Sequence, residues 1–83
     1  MYFVELMPKA IKDLKCLPKS EAQKIIAKLQ SLENGLTGDI KKLTNFSPEY
    51  RLRVGNYRVL FEIEGSKIAV YRVKHRKEVY TQR

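Results

Sequence analysis

One cysteine, one histidine, four glycines and nine acidic residues are all that this 83-residue chain has of those types. A single Cys16 excludes an internal disulfide and makes the reducing cytoplasm the expected compartment. Cys16 with the lone His75 falls short of a usual zinc ligand set. The two lie far apart in sequence, so neither a Cys–His pair nor a Ser–His–acid set can be argued as a nucleophile. The glycines stand singly, which removes a glycine-rich phosphate loop. No apolar run approaches the ~20 residues of a membrane span. Glu5 breaks the opening "MYFVEL" where a signal peptide would need continuity. The expectation is a cytoplasmic protein with no cofactor, no metal and no membrane partner.

Basic residues are what the chain has in excess. Seventeen Lys and Arg against nine acids give a net charge of +8. Residues 1–40 are nearly balanced, whereas residues 41–83 hold eleven Lys and Arg against four acids. All six arginines lie at position 51 or later. A charge gathered on one half of a domain points to a polyanion partner.

The hydrophobic content of 43% suits folding rather than disorder, in one domain spanning residues 1–83. "YFVEL" alternates as a strand does. Pro8 and Pro18 each open a helix. The first helix carries Ala10, Ile11, Leu14 and Leu17 at helical spacing, the second Ala22, Ile25, Ile26, Leu29 and Leu32. Asn34-Gly35 ends the second through a left-handed glycine cap. A loop with Leu43 and Phe46 as anchors leads to three strands, turned at Gly55-Asn56 and Gly65-Ser66. The order βααβββ predicts an α+β two-layer domain, a helical hairpin on a small antiparallel sheet.

Strand parity then sorts the side chains. Leu52, Val54, Tyr57, Val59, Phe61, Ile63, Ala69, Tyr71 and Val73 face the helices. Arg51, Arg53, Arg58, Leu60, Glu62, Ile68, Val70, Arg72 and Lys74 face away. A bulge would flip everything beyond it. Like charges on adjacent strands repel, so the cation cluster needs a use, and phosphate is the commonest. Arginine offers a planar fork of donors and stays ionised. The tail adds His75, Arg76, Lys77 and Tyr80. Tyrosine titrates near 10 unperturbed, and neighbouring arginines favour its phenolate. His75 and Tyr80 beside these cations read as a proton-transfer set. Base-stacking aromatics of the kind an RRM displays point mostly inward here.

These residues carry a resemblance. "AIKDLKCLP", "KKL" at 41–43, "YRLRVGNYRVLFEI" at 50–63 and "HRKEVY" at 75–80, in that order, resemble the RelE-type toxins of the RelE/ParE toxin–antitoxin superfamily over nearly the whole chain. The resemblance implies a microbial RNase-like fold and a ribosome-dependent, metal-independent mRNA endonuclease acting in the A site. There the message's 2′-OH attacks the adjacent phosphate, leaving a 2′,3′-cyclic phosphate and a 5′-OH. By resemblance Arg51 and Arg53 grip and polarise phosphates, and Arg58 stabilises the transition state. Tyr80 stacks on or deprotonates the attacking nucleotide. Arg76 is the favoured leaving-group acid, with Lys74 and His75 as competitors. Lys41, Lys42, Arg51, Arg72, Lys74, His75 and Lys77 form the nucleic-acid-binding set. The family's best-known member has lysines where this chain has Arg51 and Arg53. Arginine is a poor base, since its pKa exceeds about 12, so proton abstraction falls to Tyr80, His75 or Glu49. The implied partners are a small acidic antitoxin and the ribosome. Alternatives are a ParE-like inhibitor of DNA gyrase and a non-catalytic RNA-binding module.

Overall fold

The computed structural model describes residues 1–36, 38–43 and 47–77. A short strand, β1 (Phe3–Leu6), precedes α1 (Pro8–Lys15), whose first position is the expected Pro8. α2 (Lys19–Ser31) starts one residue after Pro18, which serves as its N-cap. A 3-10 turn, Leu32–Asn34, follows and ends at Gly35. Gly35 has φ 151 and ψ 155 rather than the left-handed helical values expected of a cap. That region is open essentially to glycine alone, so the residue type is still required.

The sheet has five strands in the order β1-β5-β4-β3-β2. They are β1, β2 (Asp39–Lys42), β3 (Tyr50–Val54), β4 (Tyr57–Glu64) and β5 (Lys67–His75). β2 lies in the stretch expected to be a loop. "DIKK" offers only Ile40 as an apolar signal, and lysines suit an exposed edge strand. Leu43 is half-buried, as an anchor should be; Phe46 lies outside the described residues. β1 runs parallel to β5 while the other pairs are antiparallel, so the sheet is mixed rather than antiparallel. Gly55 and Gly65 take positive φ at the two hairpin turns, as the Gly-Asn and Gly-Ser pairs predict.

Both helices lie on one face, giving the expected α+β two-layer fold. Ala10 and Leu14 of α1, Ile25 and Leu29 of α2, and Leu32 meet Leu52, Val59, Phe61, Ile68, Val70 and Val73 of the sheet. Strict alternation fails in β5. Leu60 pairs with Arg72 but Phe61 with Val70, so Tyr71 is an extra residue in a bulge. Below it Ile68 and Val70 turn to the helices, and Ala69 pairs with Glu62 on the other face. This reverses the expected inward placement of Ala69 and the outward placement of Ile68 and Val70. Above the bulge Val73 faces in and Arg72 and Lys74 face out, as parity alone requires.

Phe61 is fully buried at the centre of this layer and stacks on Tyr50 at 5.5 Å. Phe61→Ala is expected to cost about 3–5 kcal/mol, against a total of roughly 5–15 kcal/mol for a typical domain. Urea denaturation of the variant checks this; a loss below about 1 kcal/mol would mean the core is not built around this ring.

Candidate nucleic-acid interface

Register assembles the cations. Arg58 of β4 is flanked by Arg53 of β3 and Lys74 of β5, and Arg53 pairs in turn with Asp39. One row further along, Lys41, Arg51, Leu60 and Arg72 stand in line. Directly paired residues share a face, and this face is the one turned away from the helices. Four strands, β2 to β5, thus deliver Lys41, Arg51, Arg53, Arg58, Arg72 and Lys74 to one end of one surface.

Two members of the first row are buried, Arg58 at 6% and Lys74 at 7% exposure. Arg58 curls back on its own turn, donating from one terminal guanidinium nitrogen to Gly55 O at 3.1 Å and Tyr57 O at 3.0 Å. Its Nε is buried without a hydrogen-bond partner among the described residues. None of the described carboxylates forms an ion pair with Arg58 or Lys74. Two adjacent desolvated cations with no ion pair among the described residues cost stability. They leave donors prepared for an anion. Arg53, by contrast, is exposed and loosely paired with Asp39 at 3.7 Å.

Arg72 is differently placed. Its Nε and a second guanidinium nitrogen donate to the two carboxylate oxygens of Asp13 at 2.8 and 3.1 Å, and Val73 N–H donates to the same carboxylate at 2.9 Å. Burial alone would raise the Asp13 carboxyl. The Arg72 and Val73 hydrogen bonds and the charges of Arg72 and Lys74 outweigh it and hold the group below the ordinary range. Sequence reading passed over Asp13. The available signal was an acid on the apolar side of α1, between Ala10 and Leu14.

The other candidates scatter. His75 pairs with Tyr57 on the helix side of the sheet, its ring edge-on to Tyr57 at 5.5 Å, so it stands on the face opposite Arg58 and Lys74. Its Nδ1 accepts from Lys77 N–H at 3.3 Å. Arg76 is exposed, and its N–H donates to Asn56 O at 2.8 Å, which ties the end of β5 to the β3–β4 turn beside the row. Lys77 is exposed next to it. Lys42 pairs with Tyr50 and so faces away from Lys41; its ammonium reaches Glu49 at 3.7 Å. Glu49 sits by Glu62, whose carboxylate accepts from Glu49 N–H at 3.0 Å. Tyr80 lies outside the described residues.

The opposite end of the same face is acidic. Glu5, Glu62 and Glu64 gather around Ala69 and Lys67. Lys67 bridges Glu5 at 3.1 Å and Glu64 at 3.4 Å, and these two carboxylates raise its pKa above the ordinary lysine value. The surface therefore has a cationic end that attracts a phosphate chain and an acidic end that repels it.

Comparison with known proteins identifies the family and the fold. Residues 4–80 match the family described as ParE toxin of type II toxin–antitoxin system, parDE. The chain is 41% identical over 75 residues to Toxin RelE3 of Methanocaldococcus jannaschii, covering 84% of this chain and 85% of that one. It superposes on a chain of the RelB–RelE antitoxin–toxin complex from Methanococcus jannaschii with a TM-score of 0.77 and 34% identity, over 93% of this chain and 95% of that one. The isolated E. coli RelE toxin shares the fold, with a TM-score of 0.75 at 20% identity over 99% and 94% of the two chains. The chain belongs to the RelE/ParE family of type II toxin–antitoxin toxins, and within it the relatives place it as a RelE-type toxin.

Two outcomes follow. Inorganic phosphate is expected to raise the melting temperature of the wild type, because a ligand held only by the folded state stabilises it. Lys74→Met removes a buried charge that has no ion pair among the described residues and is expected to be neutral or up to about 2 kcal/mol stabilising, with the phosphate effect reduced. A thermal-shift series decides; destabilisation by Lys74→Met would show that the ammonium has a stabilising partner. The second concerns acid. The depressed Asp13 carboxyl contributes stability that is present above its unfolded pKa of about 3.9. That contribution is lost as pH falls through the lower folded value. Discounted for the partial exposure of Arg72, Asp13→Asn is expected to cost about 1–2 kcal/mol at pH 7. In urea titrations the difference from wild type should shrink below about pH 4; a difference constant from pH 7 to 2 would contradict it.

Proposed function

We propose that this toxin cleaves messenger RNA in the ribosomal A site. The row Arg53–Arg58–Lys74 is the observation that carries the reading: three cations in cross-strand register, two of them buried with no ion pair to a carboxylate among the described residues. In the proposed reaction the 2′-oxygen attacks the adjacent phosphorus and the bond to the 5′-oxygen breaks. The products are a 2′,3′-cyclic phosphate and a 5′-OH. The 2′-OH proton leaves to a base and another proton reaches the departing 5′-oxygen. Between these events the phosphorane carries additional negative charge, which preorganised cations stabilise without reorganising.

Arg51 and Arg53 hold the flanking phosphates, and Arg58 meets the phosphorane oxygens. Lys74 lies directly across from Arg58, and its ammonium gives up a proton more readily than a guanidinium does. That favours it over Arg76 as the group at the 5′-oxygen. Arg76 and Lys77, exposed at the end of β5, extend the phosphate track, as does Lys41 beside Arg51. Tyr80 is the proposed base. The helix-side position of His75 and the place of Glu49 by Glu62 count against both as alternatives. A small acidic antitoxin is the proposed partner, supported by the net charge of +8 and by RelE relatives solved in complex with RelB. The cytoplasm is the proposed compartment.

The other reading is the gyrase inhibition that a ParE-like resemblance implies; the matched family is described as ParE toxin. A translating extract separates the two. Wild type is expected to cut the message within translated codons, and Arg58→Ala is expected to lower the rate by at least about 10²-fold while keeping its circular dichroism spectrum. An uncut message together with arrested supercoiling by purified gyrase would replace the nuclease reading.

A further inference from the structure

We propose that Asp13 of α1 is a positioning residue for Lys74, holding that lysine beside Arg58 and occupying Arg72 of the neighbouring row with its own carboxylate. The inference rests on the nuclease reading for its kinetic form. Its structural basis begins at the edge of the sheet. β1 accompanies β5 only from Phe3↔Lys67 to Leu6↔Val70, and Met7 N–H closes the ladder on Val70 O at 2.8 Å. The chain then leaves as α1. Beyond Val70, β5 has a strand on one side only, and it has just passed the bulge at Tyr71. A bulge with an unpaired edge is where a strand shifts most readily.

Arg58 and Lys74 repel one another across the β4–β5 pair. Some contact must oppose that push, and Asp13 is placed to do so. Its carboxylate takes Val73 N–H, the backbone donor immediately before Lys74, in the place where a neighbouring strand would accept it. The same carboxylate takes Arg72 through two parallel bonds, a geometry with high directional specificity. Arg72 and Lys74 occupy alternate positions on one face, with Val73 anchored in the core between them. Fixing the first two sets the third. Three hydrogen bonds from one side chain, 59 and 60 residues away in sequence, thus define where the ammonium of Lys74 sits.

Charge adds a second effect. Asp13 neutralises Arg72, so a phosphate meets Arg58 and Lys74 rather than a third competing cation. Removing the Asp13 charge should therefore act in opposite directions on chemistry and on binding. A group of only structural importance would lower both.

The test is programmed-ribosome cleavage by Asp13→Asn, Asp13→Glu and the Asp13→Asn/Arg72→Ala double variant, below their melting temperatures. Asp13→Asn is expected to lower kcat by about a hundredfold, the usual effect of a displaced catalytic group, with KM unchanged or lower. Asp13→Glu should recover part of kcat. The double variant should stay slow, because the neutral amide oxygen left by Asp13→Asn accepts Val73 N–H more weakly than the carboxylate did. Wild-type kcat in Asp13→Asn, or kcat and KM both worsening with no recovery in Asp13→Glu, would overturn the proposal. The side-chain NMR signals of Lys74 provide a readout independent of cleavage. They should move in Asp13→Asn while those of Arg53 stay, and unmoved Lys74 signals would refute the positioning role. If the wild type cuts no message, the nuclease reading falls and this NMR comparison still decides whether Asp13 positions Lys74.

Discussion

A single extra residue in β5 governs both faces of the sheet. With Tyr71 in a bulge, the strand is out of phase with itself on either side. The lower half gives Ile68 and Val70 to the helices, and the upper half gives Val73 to the helices while sending Lys74 to Arg58. An unbulged strand could not do both. In the phase that buries Val73, Ala69 would replace the bulkier Ile68 and Val70 in the core. In the phase that buries those two, Lys74 would turn towards the helices. Packing and the cation row therefore depend on the same local irregularity, and bulges are common where a strand must re-aim a side chain beside a site.

The row is a stability cost that the rest of the domain offsets. A small domain has few kilocalories to spare, and buried like charges use some of them. The compensating elements are the continuous apolar layer around Phe61 and Leu32 and the Asp13 contact that ties α1 to β5. Electrostatics also sets direction. This face presents Lys41, Arg51, Arg53 and Arg58 at one end and Glu5, Glu62 and Glu64 at the other, and the proposed phosphate chain would lie at the cationic end. Strong cations confined to one end favour a path across the strands over one along them.

Much of this was legible before any coordinates. Helix positions followed from proline and apolar spacing, and the turns from Gly-Asn and Gly-Ser. The outward set Arg51, Arg53 and Arg58 followed from parity alone, because β3 and β4 are regular and joined by a tight turn. Three features were not. β2 has too little apolar content to register as a strand. The Tyr71 bulge depends on which partner wins a cross-strand competition, and nothing local to "IAVYRVKH" marks it. The Asp13 contact is tertiary: its place beside Ala10 and Leu14 signals burial, but nothing in α1 names Arg72 and Val73 as its partners. His75 shows the same limit. Its neighbours in sequence are basic, yet its neighbour in space is the ring of Tyr57.

The central claim is that phosphate is held by the row across β3, β4 and β5. The most direct measurement is a backbone NMR titration with a short oligoribonucleotide carrying 2′-O-methyl groups, which cannot supply the attacking hydroxyl. Shifts are expected to concentrate at Arg53, Arg58 and Lys74 and to spare Glu5, Glu62 and Glu64. Shifts centred on α2 or on the acidic end of the sheet would contradict it.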